Sequence, residues 1–267
     1  DIDMLLINSY KMYMTTQLMC KLSQANVCVI ICNKQQLPEC VFHPFTGNYA
    51  AYRMQDAQIN LTPIARGLLW QRIIQNKIGN QIAVLDKHSG ECITLETMQG
   101  FQRDVLPDDT SNREGLAAKM YFKGLYGVDF SRDREADDCI NLALNYGYTI
   151  LRAAIARSVV EKGFIPTIGI HHHNIYNHFI LADDFMEPYR PLIDDWVYKN
   201  MKDEFFTREK RLSLLDNFNN KIFLGEKKYT ILQSITYYLD AIVRAIKQED
   251  YMEGLLFPGV DIVEECE

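Results

Sequence analysis

The chain has 267 residues, 48% of them hydrophobic and 24% charged, with a formal net charge of −7. This is the composition of an ordinary globular protein, long enough to bury a substantial core in one large domain or two. It holds no run of about 18 apolar residues that would span a bilayer, and its acidity argues against a general polyanion binder, so a nucleic-acid footprint has to be a local stripe.

The charge is uneven: basic and acidic residues balance over 61–160, and the acidic excess lies in 161–267, including the end Asp261–Glu267. Residues 3–7 read as a short strand, 12–24 as an amphipathic helix, 27–32 as a buried strand and 37–42 as a further strand. Cys28 and Cys32 lie four apart on the apolar strand and so on one face. Seven cysteines without framework spacing read as core thiols in a reducing cytoplasm. The turn-rich stretch 43–48 closes this β-α-β piece. Helical periodicity follows over 50–80, with Pro63 marking a break. Further helices are expected over 89–104, 111–123, 135–160, 183–204, 207–218 and 229–249. The acidic run Asp133–Asp138 loads the start of one of them, as the helix dipole favours, and Gly163 and Pro166 end it. The expected class is α+β: a small β-rich amino-terminal domain over 1–48, then a larger all-helical domain over 49–267.

The chemistry concentrates in two places. Half of the six histidines stand together in Gly169–Ile170–His171–His172–His173, a short loop away from Asp183, Asp184, Glu187 and Arg190. Asp184 and Glu187 are three apart and share one helix face. A histidine with two carboxylates is a ligand set for a hard or borderline divalent metal. That set calls for another acidic residue elsewhere, and Glu114 in Asn112–Arg113–Glu114–Gly115 is a candidate; the small residues after it admit a close neighbour. Plainer readings stand beside these. Glu114 is also placed as a helix-start residue, and the 183–187 acids as dipole partners. The histidines are also readable as packed imidazoles, or as a zinc set of His171, His173 and His178 without a nearby cysteine pair. Pro188 within a helix needs compensation, and Arg190 can hold a carboxylate or a phosphate bidentately. Tyr146, Tyr148, Tyr176 and Phe179 are core or base-stacking aromatics; Tyr146 reads as core and Tyr148 stays open. In an extended segment His171 and His173 share one face and His172 takes the other.

Several pieces in order carry a resemblance. They are Asp1–Ile7, Val27–Cys32, Lys77–Ile78–Gly79–Asn80–Gln81, the segment holding Glu114, Leu144–Asn145–Tyr146–Gly147–Tyr148, Pro166–His172 and Asp184–Arg190. Together they resemble the CRISPR-associated adaptation integrases, the Cas-one family, in its type II branch. The resemblance implies a metal-dependent nuclease that inserts prespacer DNA into a CRISPR array by direct transesterification. It implies Glu114, His172 and Glu187 as catalytic metal ligands for Mg2+ or Mn2+, with Asp184, Arg190 and Tyr148 as neighbours. The implied partners are a second copy of the chain, a Cas-two dimer in a heterohexamer, a prespacer duplex with single-stranded ends, and CRISPR repeat DNA. The type II interference nuclease and a ring-shaped helper are further implied partners. The resemblance also implies that the chain opens inside the family's amino-terminal domain, which serves dimerisation and partner contacts and lacks its first strands here. Two rival readings remain: another metal-dependent phosphoesterase on a helical scaffold, and a non-enzymatic scaffold.

Overall fold

A computed structural model describes residues 2–9, 11–35, 37–42, 51–89, 92–201, 205–251 and 253–260. The stretch 43–48 and the acidic end 261–267 lie outside the described residues. The chain opens with β1 (Met4–Ile7), α1 (Thr16–Gln24), β2 (Cys28–Cys32) and β3 (Pro38–Phe42). β1 and β2 are parallel with α1 as their crossover, β3 is antiparallel to β2, and the order is β1-β2-β3. The unbroken apolar run of β2 suits this central position, where both faces are covered. Its partner underneath is α6 (Cys139–Glu161). Cys28 Sγ donates to Ala153 O at 3.7 Å, and Arg157 Nε donates to Asn26 O at 2.5 Å. Burial pushes the Cys28 thiol up to about 12, which makes it an inert core thiol. Cys20, Cys40 and Cys92, by contrast, are exposed.

Between sheet and α6 come α2 (Ala51–Ile59), α3 (Pro63–Ser89), α4 (Cys92–Arg103) and α5 (Arg113–Tyr126). The break falls at Pro63, where Thr62 Oγ1 accepts from Ala65 N at 3.1 Å and proline takes the first helical position, whose N–H needs no partner. α3 does not stop near residue 80 but runs on to Ser89. α6 starts at Cys139, four residues later than expected, because Asp138 is its cap, with Oδ1 accepting from Asn141 N at 2.9 Å. The acidic run therefore precedes the helix and does not occupy its first turn.

The expected single helix over 183–204 is two. α7 (Ile180–Phe185) and α8 (Arg190–Asn200) are joined by a 3-10 turn, Glu187–Tyr189. Pro188 sits in that turn and so removes no α-helical hydrogen bond. After α9 (Arg208–Asp216) the chain forms a hairpin, β4 (Lys221–Leu224) and β5 (Lys227–Thr230), then α10 (Ile231–Gln248) and a two-residue β6 (Pro258–Gly259) against β4. Gly225, at φ 62°, opens the two-residue hairpin loop. The α+β class holds, and the carboxy-terminal part carries this small sheet among its helices. One core runs through both parts. Trp70, Ile73, Ile74 and Ile78 of α3, Leu144, Leu151 and Ile155 of α6, and Tyr238, Leu239 and Ile242 of α10 join Cys28 and Ile30 of β2. Among the described residues no helix is long and apolar enough to cross a membrane.

Candidate functional site

One face of α3 organises the site. Arg66, Trp70, Lys77 and Asn80 are spaced four, seven and three residues apart, so their side chains line one stripe. Each reaches a different part of the acidic loop region. Arg66 Nη1 donates to Gly169 O at 2.6 Å. Trp70 stacks on His171 with ring centroids 4.5 Å apart and planes 1° from parallel. Lys77 Nζ contacts Glu114 Oε1 and Glu187 Oε2, both at 2.6 Å. Asn80 Nδ2 donates to Pro188 O at 2.8 Å and Pro258 O at 2.9 Å, which ties the 3-10 turn and β6 to the helix. The sequence signal for these roles is the presence of Lys77, Asn80 and Gln81, all buried, amid the apolar residues Ile73, Ile74, Ile78 and Val84. A buried polar group needs a partner.

The histidine loop is built on Gly169 and Asp184. A Cβ at Gly169 would lie 2.4 Å from Ile180 Cγ2, 2.5 Å from His172 O and 2.8 Å from Asp184 Oδ2, so only glycine admits this approach. Asp184 is fully buried. Its Oδ2 accepts from Ile170 N at 2.6 Å and His171 N at 3.0 Å, and its Oδ1 lies 2.6 Å from His172 Nδ1. That bond raises the His172 pKa against the lowering effect of burial, and the charges of Asp184, Glu114 and Glu187 add to it. With Nδ1–H engaged by the carboxylate, neutral His172 keeps its lone pair on Nε2. Asp183 points elsewhere, to Arg152 Nε at 2.6 Å and Asn177 Nδ2 at 2.7 Å.

The three histidines take three different partners. His171 lies on Trp70 with Nδ1 2.7 Å from Asp108 Oδ1. His172 turns to Asp184, and His173 Nδ1 contacts the His172 carbonyl at 2.7 Å and is exposed. His171 and His172 do not take opposite faces as an extended segment would have them: their rings meet edge to face with centroids 5.0 Å apart, and both lie against Trp70. Among the described residues the zinc set of His171, His173 and His178 is not gathered. Among the described residues no three His, Cys, Asp or Glu side chains form a ready-made ion cage.

Glu114 stands in the first turn of α5, which is capped from a distance. Asp109 Oδ1 accepts from Arg113 N at 2.8 Å and Oδ2 from Glu114 N at 2.9 Å. Asp109 does this because Asn112 is left-handed, at φ 51°, and makes no side-chain cap. Of the small residues after Glu114, only Ala117 is fully buried. Glu187 opens the 3-10 turn, and Arg190 Nη2 reaches its Oε1 at 3.1 Å. Burial works to raise the Glu187 pKa, but Arg190 and Lys77 outweigh it and hold the carboxyl below its usual range. The same pairing holds Lys77 charged: burial opposes the ammonium, and Glu114 and Glu187 more than restore it. Arg190 is therefore a carboxylate clamp, and its guanidinium lies 4.9 Å above the Tyr148 ring. Tyr148 is 8% exposed and its hydroxyl donates to Asp194, so it is a core side chain beneath the site and not an open stacking surface.

The residues present fit a divalent cation. Glu187 Oε2 is buried and has no hydrogen-bond donor aligned on it, although Lys77 is in ionic contact. Glu114 offers a second carboxylate on the same ammonium, and His172 a nitrogen oriented by a buried acid. Two hard oxygens and an imidazole suit magnesium or manganese chemistry.

Residues 1–227 match the family profile described as CRISPR associated protein Cas1. The chain is 34% identical over 194 residues to the CRISPR-associated endonuclease Cas1 of Neisseria meningitidis serogroup C, covering 73% of this chain and 63% of that protein. It is 27% identical over 217 residues to a protein of the same name from Mycobacterium tuberculosis, covering 67% and 64%. It thus spans a little under two thirds of the length of these relatives. Among solved structures it is similar to a casposase bound to integration product, with a TM-score of 0.77 and 19% identity over 95% of this chain and 82% of the other. It is also similar to a Cas6-RT-Cas1–Cas2 complex, with a TM-score of 0.73 and 21% identity over 95% of this chain and 32% of the other. At these identities the structures share the fold. Since the profile spans most of its length, the chain belongs to the CRISPR-associated protein Cas1 family.

Proposed function

We propose that this chain carries the catalytic part of a metal-dependent DNA integrase and endonuclease that inserts prespacer DNA into a CRISPR array. The observation that carries the reading is one buried ammonium joining Glu114 to Glu187 beside an imidazole locked on Asp184. Glu114, His172 and Glu187 would hold the divalent ion, magnesium or manganese. Such an ion polarises a phosphoryl oxygen and stabilises the charge on the oxygen displaced. The chain's own residues position that chemistry. Asp184 and Gly169 aim His172, Arg190 pins and charges Glu187, and Asp109 fixes the helix turn that presents Glu114. In this reading a DNA 3′-hydroxyl attacks the target phosphodiester directly and displaces the target strand's 3′-oxygen, with no protein–DNA adduct.

A polymer backbone suits this site better than a small phosphoester. The His172 side chain is half exposed, and a cavity of about 550 Å3 between α4 and α5, lined by Leu85, Phe101, Leu116 and Met120, contains none of these ligands. The partners proposed are a second copy of the chain, a Cas2 dimer completing a heterohexamer, prespacer DNA with single-stranded ends, and repeat DNA. The type II interference nuclease and a ring-shaped helper are proposed to join them, in the cytoplasm. A similar solved structure is a complex containing Cas1 and Cas2, and another is a casposase on its integration product.

The test is strand transfer with manganese and a melting curve for His171→Ala, His172→Ala and His173→Ala. His172→Ala abolishes joining and keeps its fold; the other two retain joining. A His172→Ala protein that still joins DNA, or a wild type that cleaves only small phosphoesters, overturns the reading.

A further inference from the structure

Lys77 occupies the place where the proposed ion has its closest interest. Its Nζ touches Glu114 Oε1 and Glu187 Oε2, both at 2.6 Å, and the residue is 7% exposed. A buried and a partly buried carboxylate without a cation between them would repel each other at reduced effective dielectric. In the ion-free protein the ammonium removes that repulsion. A divalent cation and the ammonium compete for these oxygens, because each carries positive charge to the same two acids and their mutual repulsion weakens the hold of both.

We infer that Lys77 is an internal counter-cation that competes with the divalent ion. It holds Glu114 and Glu187 together before loading and must leave at least one of them when the ion enters. The inference rests on the metal reading above and assigns the lysine a positioning role, exerted through the two glutamates. The space between the two carboxylates is bridged by the chain's own cation. The inference also accounts for a fully engaged lysine in the buried stripe of α3, where a leucine or methionine would pack at no electrostatic cost. Lys77 thus sets the ion affinity below what the two glutamates and His172 would give unopposed, so that loading responds to ion concentration.

The experiment measures Mn2+ binding by calorimetry, and melting without added ion, for wild type, Lys77→Met, Lys77→Arg and Glu114→Gln. Lys77→Met should bind Mn2+ at least tenfold more tightly than wild type, melt lower without ion, and gain more from Mn2+. A lysine that is merely structural would lower the melting point without tightening the ion. Lys77→Arg keeps the charge and gains a bidentate grip on the carboxylates, so it should bind Mn2+ several-fold more weakly. If Lys77→Met does not fold, this arm decides alone, and Lys77→Arg binding as tightly as wild type or tighter overturns the inference. Lys77→Met binding no tighter than wild type, with Glu114→Gln abolishing the heat, overturns the counter-cation and leaves the metal site standing. Mn2+ binding that survives unchanged in Glu114→Gln overturns the metal site, and the competition with it.

Discussion

Glu187 and Asp194 lie two helical turns apart, at opposite ends of one buried segment, and are almost equally hidden, at 4% and 1% exposure. Their pKa values are pushed in opposite directions. Glu187 faces Lys77 and Arg190 and is held ionised. Asp194 accepts from the Tyr148 hydroxyl, and burial pushes its pKa up to about 7. Asp195, next in sequence, is again surrounded by basic side chains, with His88 at 2.5 Å, Lys199 at 3.2 Å and Lys87 at 3.4 Å. Burial alone therefore fixes nothing; the partner decides whether a hidden acid keeps its charge. Full cationic partners stand at the end where the anionic oxygens of the proposed ion site lie. Where the carboxyl only has to fill a hydrogen-bonded niche, a hydroxyl suffices.

The harshest way to break this contrast is to neutralise its charged member. Glu187→Gln removes an anion shared by Lys77 and Arg190 and leaves two buried cations with Glu114 alone. Breaking a buried pair in this manner costs about 3–5 kcal/mol, read by urea unfolding, and strand transfer should fall to background. A Glu187→Gln protein with wild-type stability and activity would show that the cations have other partners and that the contrast with Asp194 is incidental.

A milder blow falls on the loop that aims the imidazole. Gly169→Ala puts a methyl group against Ile180, the His172 carbonyl and Asp184. Overpacking of this kind costs about 1–3 kcal/mol, and the shift would loosen the Asp184–His172 bond. Strand transfer should drop several-fold, with part of the loss recovered at high manganese. Full activity at low manganese would mean that His172 does not need Asp184 to hold its place.

How much of this was legible beforehand follows from which forces are local. The amino-terminal β-α-β piece, the break at Pro63 and the extent of α10 could be read because periodicity and proline geometry act within a few residues. The choice of Glu114, His172 and Glu187 came from ligand chemistry and from a resemblance; what the fold adds is Lys77 between the two glutamates and Asp184 on the imidazole. The hairpin over 221–230 was missed because its strands have four residues each, too few for alternation to register. Tyr148 and Arg190 were left open because their neighbours come from elsewhere in the chain. Only the fold puts the guanidinium over the ring and the hydroxyl on Asp194. Lys77 stood in a motif without a role for the same reason: its partners are 37 and 110 positions away.

The smallest effect sharpens the contrast from its neutral side. Asp194 releases its proton near pH 7 in the folded protein but near pH 3.9 when unfolded. Between those values the native state holds a proton that the unfolded state has lost, so stability declines as pH rises through the window. The contribution is complete below about pH 4 and gone above about pH 7. Asp194→Asn cannot titrate and its amide oxygen can still accept from Tyr148, so this part of the decline should vanish. His172, also raised, gives a decline of the same sign as pH rises, but both proteins contain it and it cancels in the comparison. Urea unfolding at pH 5 and pH 8 should therefore show a smaller stability difference in Asp194→Asn than in wild type, with the variant gaining relative to wild type at the higher pH. Strand transfer should be little changed, because the Arg190–Glu187 pair is untouched. An Asp194→Asn protein whose stability falls as steeply as wild type would mean that Asp194 is ionised in the folded state, and that the Tyr148 and Tyr121 hydroxyls outweigh its burial.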